Sequence, residues 1–337
     1  MDPLFYNMLS IDSTSGKERE FALMLRSTLD CPDVRTFEVG DGTLNLLLCW
    51  GEPRVVFCTH MDTVPPYIPP QQKDGLICGR GACDAKGQIF AMYSACKALA
   101  AEGHQGFALL LLSGEETGSW GAKAFAKTPF SADYLIVGEP TDNHMVSASK
   151  GTKSFGLKFH GKAFHSGYPQ FGLSAVDLLL DFALDLRSQT LPSDPLLGET
   201  TWNIGKLFSD NPQNILSPAA ECLLYFRTTF ESDALIEPLV KEIAARVENS
   251  RPGAGIEVEC RGGDSPLHYF TLPGFPSKSV SFGSDAPHLT NFRKRSICGP
   301  GSITVAHRDN ESITEKELQQ AEKMYINMFK TLNLWSR

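Results

Sequence analysis

Three short apolar runs in the first half of the chain each end just before a histidine or an acidic residue. The runs and the residues that follow them are Val55–Phe57 with His60, Leu109–Leu112 with Glu115 and Glu116, and Tyr134–Val137 with Glu139. Short apolar runs bounded by glycine and proline predict buried strands. Because ligands in an open α/β sheet bind at the carboxyl ends of the strands, we expect these strand ends to face one crevice.

The other periodic segments predict an α/β core around these strands. Further strand-like runs lie at 44–49 and 295–298, and helical stretches lie near 86–102 and 119–127. Strands that alternate with helices are typical of an α/β domain with a central, mostly parallel sheet. The chain has 337 residues and is 42% hydrophobic, so it is long enough for two domains with their own cores.

Two capping-box motifs predict where helices begin. Ser15-x-x-Glu18 precedes a segment with Phe21, Leu25 and Leu29 on one face. Thr314-x-x-Glu317 precedes the last helical segment. The apolar face of that last segment consists of Leu318, Ala321, Tyr325, Met328 and Leu332.

The pattern changes between about 150 and 260. The segments there are strand Ser154–Phe159, helix Leu173–Arg187, strands Thr201–Phe208 and Ala220–Thr228, helix Ser232–Glu248 and strand Ile256–Cys260. This order predicts an inserted α+β domain, residues 150–260, with a four-stranded sheet and two helices. Because His307 lies beyond the insertion, we expect a discontinuous main domain made of residues 1–149 and 261–337.

The polar residues at the strand ends, with others further along, form a donor set for a dinuclear metal site. Two divalent ions about 3.5–4 Å apart need a shared carboxylate, because its charge offsets their repulsion, and nitrogen or oxygen ligands on the outside. Asp84 suits the shared position. The outer candidates are His60, Glu116, Glu139 and His307.

The chemistry of such a site also needs a base and a group that orients the histidine. Water between two metal ions has its pKa lowered towards neutrality, and an adjacent carboxylate can take its proton as it attacks an amide carbonyl. One carboxylate cannot ligate and act as base at once, so one of the adjacent residues Glu115 and Glu116 is expected to ligate and the other to act as base. Asp62, two residues after His60, is expected to accept the second imidazole N–H and fix the tautomer.

Each of these residues also has an ordinary structural explanation. His60 can belong to a hydrogen-bonded structural pair, Glu139 can be a turn residue, and His307 can be a surface histidine. Gly79-x-Gly81 resembles the start of a dinucleotide-binding loop, but Asp84 occupies the position of the third glycine. The complete set favours a metal site, because it is improbable that all of these residues occur together for unrelated structural reasons.

Six motifs occur in the order and spacing of one protein family: HMDTVP, GRGACDAKG, SGEETGSWGA, VGEPT, GKAFHSGYP and AHRDNE. From about residue 5 to the C-terminus, the chain resembles the acetylornithine deacetylase, succinyl-diaminopimelate desuccinylase and aminoacylase family of dinuclear zinc metallopeptidases. The resemblance implies a zinc-peptidase-like catalytic domain with two divalent ions per chain, zinc or alternatively cobalt. The implied ligands are His60, Asp84 and Glu139 for one ion, and Asp84, Glu116 and His307 for the other. Glu115 would be the general base.

The same resemblance implies that the insertion is a lid and a dimerisation domain. His165 would reach the partner subunit's site in a homodimer and stabilise the developing oxyanion, and Asn214 would donate to the same oxygen. Arg227 lies in an apolar strand, where an unpaired guanidinium is costly, so we expect it to face a carboxylate. That carboxylate is either a structural Asp or Glu or, as the resemblance implies, part of the substrate, with Gly283 and Ser284 helping to bind it.

Composition argues against several partners. A net charge of −8 without a basic cluster disfavours nucleic acid and anionic membranes. No segment reaches the roughly 18 apolar residues of a membrane span, and the N-terminus lacks a basic region followed by a long apolar core. Nine cysteines without a CxxC pair predict reduced thiols in a cytoplasmic protein. Cys83 is expected to be a small buried residue, with a redox role as the alternative.

These features predict a metal-dependent amidohydrolase that removes a short acyl group from the α-nitrogen of an amino acid, such as N-acetylornithine or N-acetylcitrulline. Desuccinylation of succinyl-diaminopimelate is one alternative, and cleavage by a dipeptidase or carboxypeptidase is another. An inactive homologue that binds an amino acid is the non-enzyme alternative, but it would lack a ligand or Glu115, and both are present. The absence of G-x-S-x-G and HExxH argues against a serine hydrolase and a mononuclear zinc protease.

Overall fold

The segments expected from the sequence form regular elements within residues 1–40 and 42–334, which the computed structural model describes. The helices are α1 (Pro3–Leu9), α2 (Glu18–Thr28), α3 (Lys86–Ala101), α4 (Trp120–Phe125), α5 (Ala175–Ser188), α6 (Asp233–Ser250) and α7 (Glu315–Leu334). The strands are β1 (Asp33–Gly40), β2 (Thr43–Trp50), β3 (Val55–His60), β4 (Gln71–Lys73), β5 (Leu76–Cys78), β6 (Phe107–Leu112), β7 (Ala132–Val137), β8 (Met145–Ser149), β9 (Gly151–His160), β10 (Ser193–Asp194), β11 (Gly198–Glu199), β12 (Thr201–Phe208), β13 (Ala219–Thr228), β14 (Gly255–Gly262), β15 (Leu267–His268), β16 (Ser277–Val280), β17 (Phe292–Ile297) and β18 (Ser312–Thr314). None of the helices in the described part of the chain is both long and apolar enough to cross a membrane.

A six-stranded sheet carries the three apolar runs noted in the sequence. Its strand order is β1-β2-β6-β3-β7-β17. Strands β6, β3, β7 and β17 run parallel to one another, whereas β1 with β2 and β2 with β6 are antiparallel pairs. Strands β2, β3 and β6 are buried along their whole length, as expected for strands covered on both faces. The predicted α/β fold with a central, mostly parallel sheet is confirmed.

Helix α7 is fixed against this sheet by aromatic contacts. Phe57 of β3 meets Tyr325 edge-on with ring centroids 5.5 Å apart, and Phe107 of β6 meets Phe329 at 5.2 Å. The Tyr325 hydroxyl donates to the carbonyl oxygen of Cys298 at 2.9 Å, so its polar end is satisfied in the core. Full burial of an apolar side chain contributes roughly 1.5–3 kcal/mol. These contacts therefore hold the sheet and the C-terminal helix as one rigid support.

The two capping-box motifs have different outcomes. At α7 the box forms, because Thr314 Oγ1 accepts from the Glu317 N–H at 3.1 Å and Glu317 Oε2 accepts from the Thr314 N–H at 2.8 Å. At α2 the predicted box is wrong. The helix begins at Glu18, and the Ser15 hydroxyl instead donates to Asp62 Oδ2 at 2.8 Å. A charge-assisted hydrogen bond to a distant carboxylate has replaced the local one.

The chain forms two structural units. The first consists of Met1–Ser147, Tyr269–Lys278 and Ser284–Arg337, and the second consists of Ala148–His268 and Ser279–Gly283. The second unit extends beyond residues 150–260, because β15 lies after residue 260 and pairs with the end of β8.

The second unit has its own core between a sheet and two helices. The sheet order is β12-β13-β9-β14, and all neighbouring strands are antiparallel. Alternate residues of β13 are buried and pack with apolar residues of α5 and α6, as expected for a sheet with one covered face. The predicted four-stranded sheet and two helices are therefore present.

Candidate active site

The predicted site lies in the first unit, at the carboxyl ends of three adjacent parallel strands. His60 is the last residue of β3, and β3 lies between β6 and β7 in the sheet. The turn after β6 carries Glu115 and Glu116, and Glu139 follows β7 closely. The strand order thus brings together side chains that are up to 79 positions apart in the sequence.

Asp84 lies between the two predicted histidine ligands. Its Oδ1 is 3.0 Å from His60 Nε2, and its Oδ2 is 3.2 Å from His307 Nε2. Glu116 Oε1 is 2.9 Å from the same nitrogen of His307. The donor atoms of His60, Asp84 and Glu116 all lie within 4.8 Å of one another. Asp84 is therefore placed as the sequence predicts for a shared carboxylate.

The electrostatics of these groups reflect their close approach. Burial raises the pKa of Asp84, but the imidazoles of His307 and His60 beside it hold the pKa below its ordinary value. Asp84 and Glu116 raise the pKa of His307 to about 10. These carboxylates attract protons onto the neighbouring imidazole. A bound divalent cation would take the place of those protons.

Glu139 is the donor that most clearly calls for a cation. It is 4% exposed, and its buried Oε1 has no hydrogen-bond partner among the described residues. Burial, together with the charges of Asp84 and Glu115, raises the pKa of Glu139 well above its ordinary value. An unsatisfied buried carboxylate oxygen is costly, so it needs an explanation such as an ion.

The residues present fit a pair of divalent metal ions. Two imidazoles and several carboxylates, one of them shared, are the donors that zinc accepts, and cobalt and manganese accept the same set. The orphaned oxygen of Glu139 and the position of Asp84 between two imidazoles support this fit.

Asp62 contacts His60 through both its main chain and its side chain. His60 Nδ1 lies 2.9 Å from the backbone carbonyl oxygen of Asp62 and 3.4 Å from its carboxylate Oδ1. On the other side of the ring, Nε2 faces the carboxylate of Asp84. The role predicted for Asp62, to fix the tautomer of His60, stays a prediction, and the acceptor closer to Nδ1 is the main chain.

The carboxylate of Asp62 is occupied by the loop that carries the two glutamates. Its Oδ1 accepts from the Glu115 N–H at 3.0 Å, and its Oδ2 accepts from the Glu116 N–H at 3.1 Å. The Ser15 hydroxyl donates the third hydrogen bond that this carboxylate accepts, and it also ends on Oδ2. Ser15 escaped the sequence analysis because its motif was assigned to helix capping.

Asp285 is a second residue that the sequence analysis missed. It is 1% exposed, and burial raises its pKa to about 6. Its charge acts on His60 and on the proposed base Glu115, so it belongs to the same cluster. The signal available was weak, since an acidic residue after Gly283-Ser284 in a loop is usually a turn residue.

Glu115 lies among other acidic groups. Burial, and the charges of Asp285, Glu116 and Asp84, raise the pKa of Glu115 well above its ordinary value.

Cys83 is fully buried, and burial raises the pKa of its thiol. Its Sγ contacts the carbonyl oxygen of Ser302 at 3.5 Å. An un-ionised, inaccessible thiol supports the structural explanation of Cys83.

Most of the remaining predicted residues lie in the second unit. There, His165 pairs with Ile215, and the Ser166 N–H donates to the carbonyl oxygen of Asn214 at 2.9 Å. The exposed ring of His165 accepts a hydrogen bond from the Gly167 N–H on Nδ1 at 3.0 Å, so in the neutral ring Nε2 carries the proton.

Arg227 is half-buried on β13, with its guanidinium carbon 5.3 Å from the ring centroid of Tyr225. Within residues 1–40 and 42–334 it makes no ion pair with a carboxylate of the chain, so the expected structural Asp or Glu partner is not found. Gly283 is exposed and lies in the second unit. Ser284 is buried in the first unit, and its Oγ accepts from the Ala286 N–H at 3.3 Å.

Comparison with known proteins identifies the family. Residues 56–331 match the profile of peptidase family M20/M25/M40. The chain belongs to this family. A probable carboxypeptidase of Aspergillus flavus is 34% identical over 81% of this chain and 73% of its own length. A peptidase M20 domain-containing protein of Schizosaccharomyces pombe is 32% identical over 96% of this chain and 83% of its own length.

Solved structures share the fold. A tripeptidase from Staphylococcus aureus superposes with a TM-score of 0.81 at 23% identity, covering 97% of this chain and 96% of that one. Human carnosine dipeptidase 1 gives 0.75 at 15% identity, covering 97% and 94%. As a member of peptidase family M20/M25/M40, the chain is an enzyme, a hydrolase of the metallopeptidase type. The predicted family is confirmed at this level, while the acetylornithine deacetylase branch is not among the names that these relatives carry.

Proposed function

We propose that this M20 enzyme is a carboxypeptidase or dipeptidase that cleaves the amide bond of short peptides with a free terminal carboxylate. The observation that carries the proposal is the position of Asp84 between His60 and His307, with the Glu116 carboxylate in the same group of donor atoms. Relatives named probable carboxypeptidase, 32–35% identical to the chain, support peptide cleavage better than deacetylation. N-acetylornithine and N-acetylcitrulline are therefore comparison substrates rather than the preferred ones.

The proposed ligands divide into two sets that share one residue. His60, Asp84 and Glu139 would hold one divalent ion, and Asp84, Glu116 and His307 the other. When bound, zinc would polarise the amide carbonyl and lower the pKa of the attacking water. Cobalt is the alternative metal.

Glu115 is the proposed general base. Glu116 lies 2.9 Å from His307 Nε2, in the position of a ligand, and the adjacent Glu115, which lies among the same charged groups, would be the carboxylate that moves a proton. It would take the proton of the attacking water and deliver it to the leaving amide nitrogen. Asp62 would keep Glu115 in position through the hydrogen bond to its backbone N–H.

The substrate's carboxylate would bind Arg227 of the second unit. A half-buried guanidinium without a carboxylate partner in residues 1–40 and 42–334 is costly to maintain, and a bidentate carboxylate from the substrate would satisfy it. Gly283 and Ser284 are proposed to contribute to the same subsite. Such an anchor would make cleavage depend on a free C-terminal carboxylate, which a peptide with an amidated C-terminus lacks.

His165 is proposed to donate to the developing oxyanion in a homodimer. Its Nδ1 is occupied as an acceptor, so the exposed Nε2–H is the free donor of the ring. Asn214, on the adjacent segment, would donate to the same oxygen. The homodimer would form through the second unit, where β12 is an exposed edge strand.

A substrate panel tests the proposal. The zinc-loaded protein is assayed with dipeptides, the same dipeptides with amidated C-termini, N-acetylornithine, N-acetylcitrulline and succinyl-diaminopimelate. We expect the free dipeptides to be cleaved fastest, amidation to raise KM, and chelation to abolish activity until zinc is restored.

The matched control for contaminating peptidases is Glu115→Gln, purified in the same way. A clear preference for an N-acyl amino acid would favour the deacylase alternative. Cleavage that survives both chelation and the Glu115→Gln change would contradict a metal-dependent mechanism at this site.

A further inference from the structure

A buried ion pair lies behind the shared carboxylate and has no part in the chemistry described so far. Arg80 and Glu311 are each 1% exposed, and Arg80 Nη1 donates to Glu311 Oε2 at 2.7 Å. Removing two charges from water costs several kcal/mol per ion in proteins, so such a pair is weak evidence for stability by itself. Its hydrogen bonds indicate what else it does.

The second oxygen of Glu311 holds the loop that ends at Asp84. Oε1 accepts from the backbone N–H of Cys83 and from that of Asp84, both at 3.0 Å. The peptide groups on either side of Cys83 are therefore fixed by one carboxylate from 227 positions further along the chain. Since the Asp84 side chain extends from this backbone, Glu311 sets where it points.

The same pair also holds the segment that carries His307. Arg80 Nη1 donates a second hydrogen bond, to the carbonyl oxygen of Arg308 at 3.2 Å, and the Glu311 N–H donates to that oxygen at 3.2 Å. The two loops leave one ladder, in which Cys78 of β5 pairs with Ser312 of β18. The ion pair thus links the two loops close to the β5–β18 ladder from which both of them leave.

We propose that Glu311 is a positioning residue that sets the spacing between Asp84 and His307, with Arg80 as the group that locks its carboxylate. This inference rests on the proposed metal site. Glu311 would act on the ions only through Asp84 and His307, as an outer-shell acceptor. Loss of an outer-shell partner typically lowers metal affinity or activity about 10–100-fold.

The test substitution is Glu311→Gln, which keeps the shape of the side chain. An amide has one acceptor oxygen and one NH2 group, so it cannot accept from both Arg80 and the two backbone N–H groups. Either orientation sets a donor against a donor. The loops that carry Asp84 and His307 should then relax while the surrounding core stays folded.

Metal binding, not activity, is the readout. Cobalt is titrated into the metal-free protein by calorimetry, and the visible absorption of the bound cobalt reports its coordination. We expect Glu311→Gln to lower the affinity of at least one of the two ions about 10–100-fold and to change the absorption spectrum. The melting temperature and circular dichroism are measured on the same samples.

Glu317→Gln is the matched control, because Glu317 also accepts two hydrogen bonds with its carboxylate, from the N–H and hydroxyl of Thr314. It should alter stability without altering cobalt affinity or spectrum. Equal effects of the two substitutions on metal binding, or wild-type binding by Glu311→Gln, would overturn the inference. If the wild-type protein itself binds fewer than two ions, the proposed metal site fails instead.

Arg80→Lys is a second, independent variant that serves if Glu311→Gln does not fold. Lysine keeps the charge beside Glu311. Its single nitrogen cannot replace both Nε, which donates to the carbonyl oxygen of Pro66 at 3.1 Å, and Nη1, which donates to Glu311 and to the carbonyl oxygen of Arg308. We expect the same direction of change in cobalt affinity and spectrum. Combined with Glu311→Gln it should add little, because both substitutions remove one linkage. Unchanged cobalt binding by Arg80→Lys, or full additivity, would contradict the proposal.

Discussion

At the scale of single residues, the site depends on how one carboxylate is used. The two carboxylate oxygens of Asp62 accept hydrogen bonds from the consecutive N–H groups of Glu115 and Glu116 and from the Ser15 hydroxyl. The backbone of the two glutamates is therefore fixed in the same way, and their side chains differ only in what they meet. Glu116 Oε1 lies 2.9 Å from His307, whereas burial and the charges of Asp285, Glu116 and Asp84 raise the pKa of Glu115.

This difference predicts separable effects of two neighbouring substitutions. Glu115→Ala should retain near-complete metal content and lower kcat by about 10²–10⁴-fold, the usual contribution of a general base. Glu116→Ala should instead lose metal, because it removes a ligand. Elemental analysis and steady-state kinetics of both purified variants check this. Equal metal loss in the two variants would show that the roles are merged or reversed.

At the scale of secondary-structure elements, comparing two identical motifs shows what local sequence can decide. The [ST]-x-x-E pattern at Thr314 forms a capping box, and the same pattern at Ser15 does not. At Ser15 the next residue, Gly16, has a positive φ and donates its N–H to Glu18 Oε2 at 2.7 Å. The Ser15 hydroxyl meets Asp62, 47 positions away, which the local sequence does not contain.

We expect Thr314→Ala to destabilise the protein by about 1 kcal/mol, the usual value of an N-cap, and to leave kcat unchanged. In a domain of roughly 150–250 residues this lowers the melting temperature by about 2–4 °C. Ser15→Ala should lower kcat, because it loosens the carboxylate that holds Glu115. Differential scanning calorimetry and kinetics of the pair check the contrast. A kcat loss confined to Thr314→Ala would contradict it.

The same distinction explains how far the sequence could predict the fold and the site. The apolar runs at 55–57, 107–112 and 134–137 predict buried strands, because a strand covered on both faces is apolar along its whole length. Motif order indicated the proposed ligands. Asp285 and Glu311 were assigned no role, although Glu311 is the last residue of AHRDNE, because the partners that define their roles lie more than 160 positions away. Contacts at such separations are set by the packed sheet and loops, which local patterns do not contain.

At the scale of the whole molecule, the proposed chemistry is divided between two structural units. The first unit contains all the proposed metal ligands and Glu115, and the second contains His165, Asn214 and Arg227. Each unit has a separate hydrophobic core. Substitutions in the second unit should therefore leave metal binding unchanged, so that a loss of activity there reports on substrate or transition-state contacts alone.

His165 allows this division to be tested together with the proposed homodimer. His165→Ala should keep its metal ions and lower kcat by about 10²–10³-fold, because an oxyanion donor acts mainly in the transition state. If His165 acts on the partner subunit, a mixed dimer of His165→Ala with Glu115→Ala has one site with both defects and one with neither.

Equal amounts of the two inactive proteins are therefore mixed under conditions that allow subunit exchange, and activity is followed with time. About half of the dimers become mixed, and each has one intact site of two, so activity should rise to about a quarter of the wild-type value. Exchange is verified independently with differently tagged subunits. Verified exchange without recovery of activity would mean that His165 acts within its own chain or supports only the structure of the second unit, since its exposed Nε2–H would then have no oxyanion to meet across an interface.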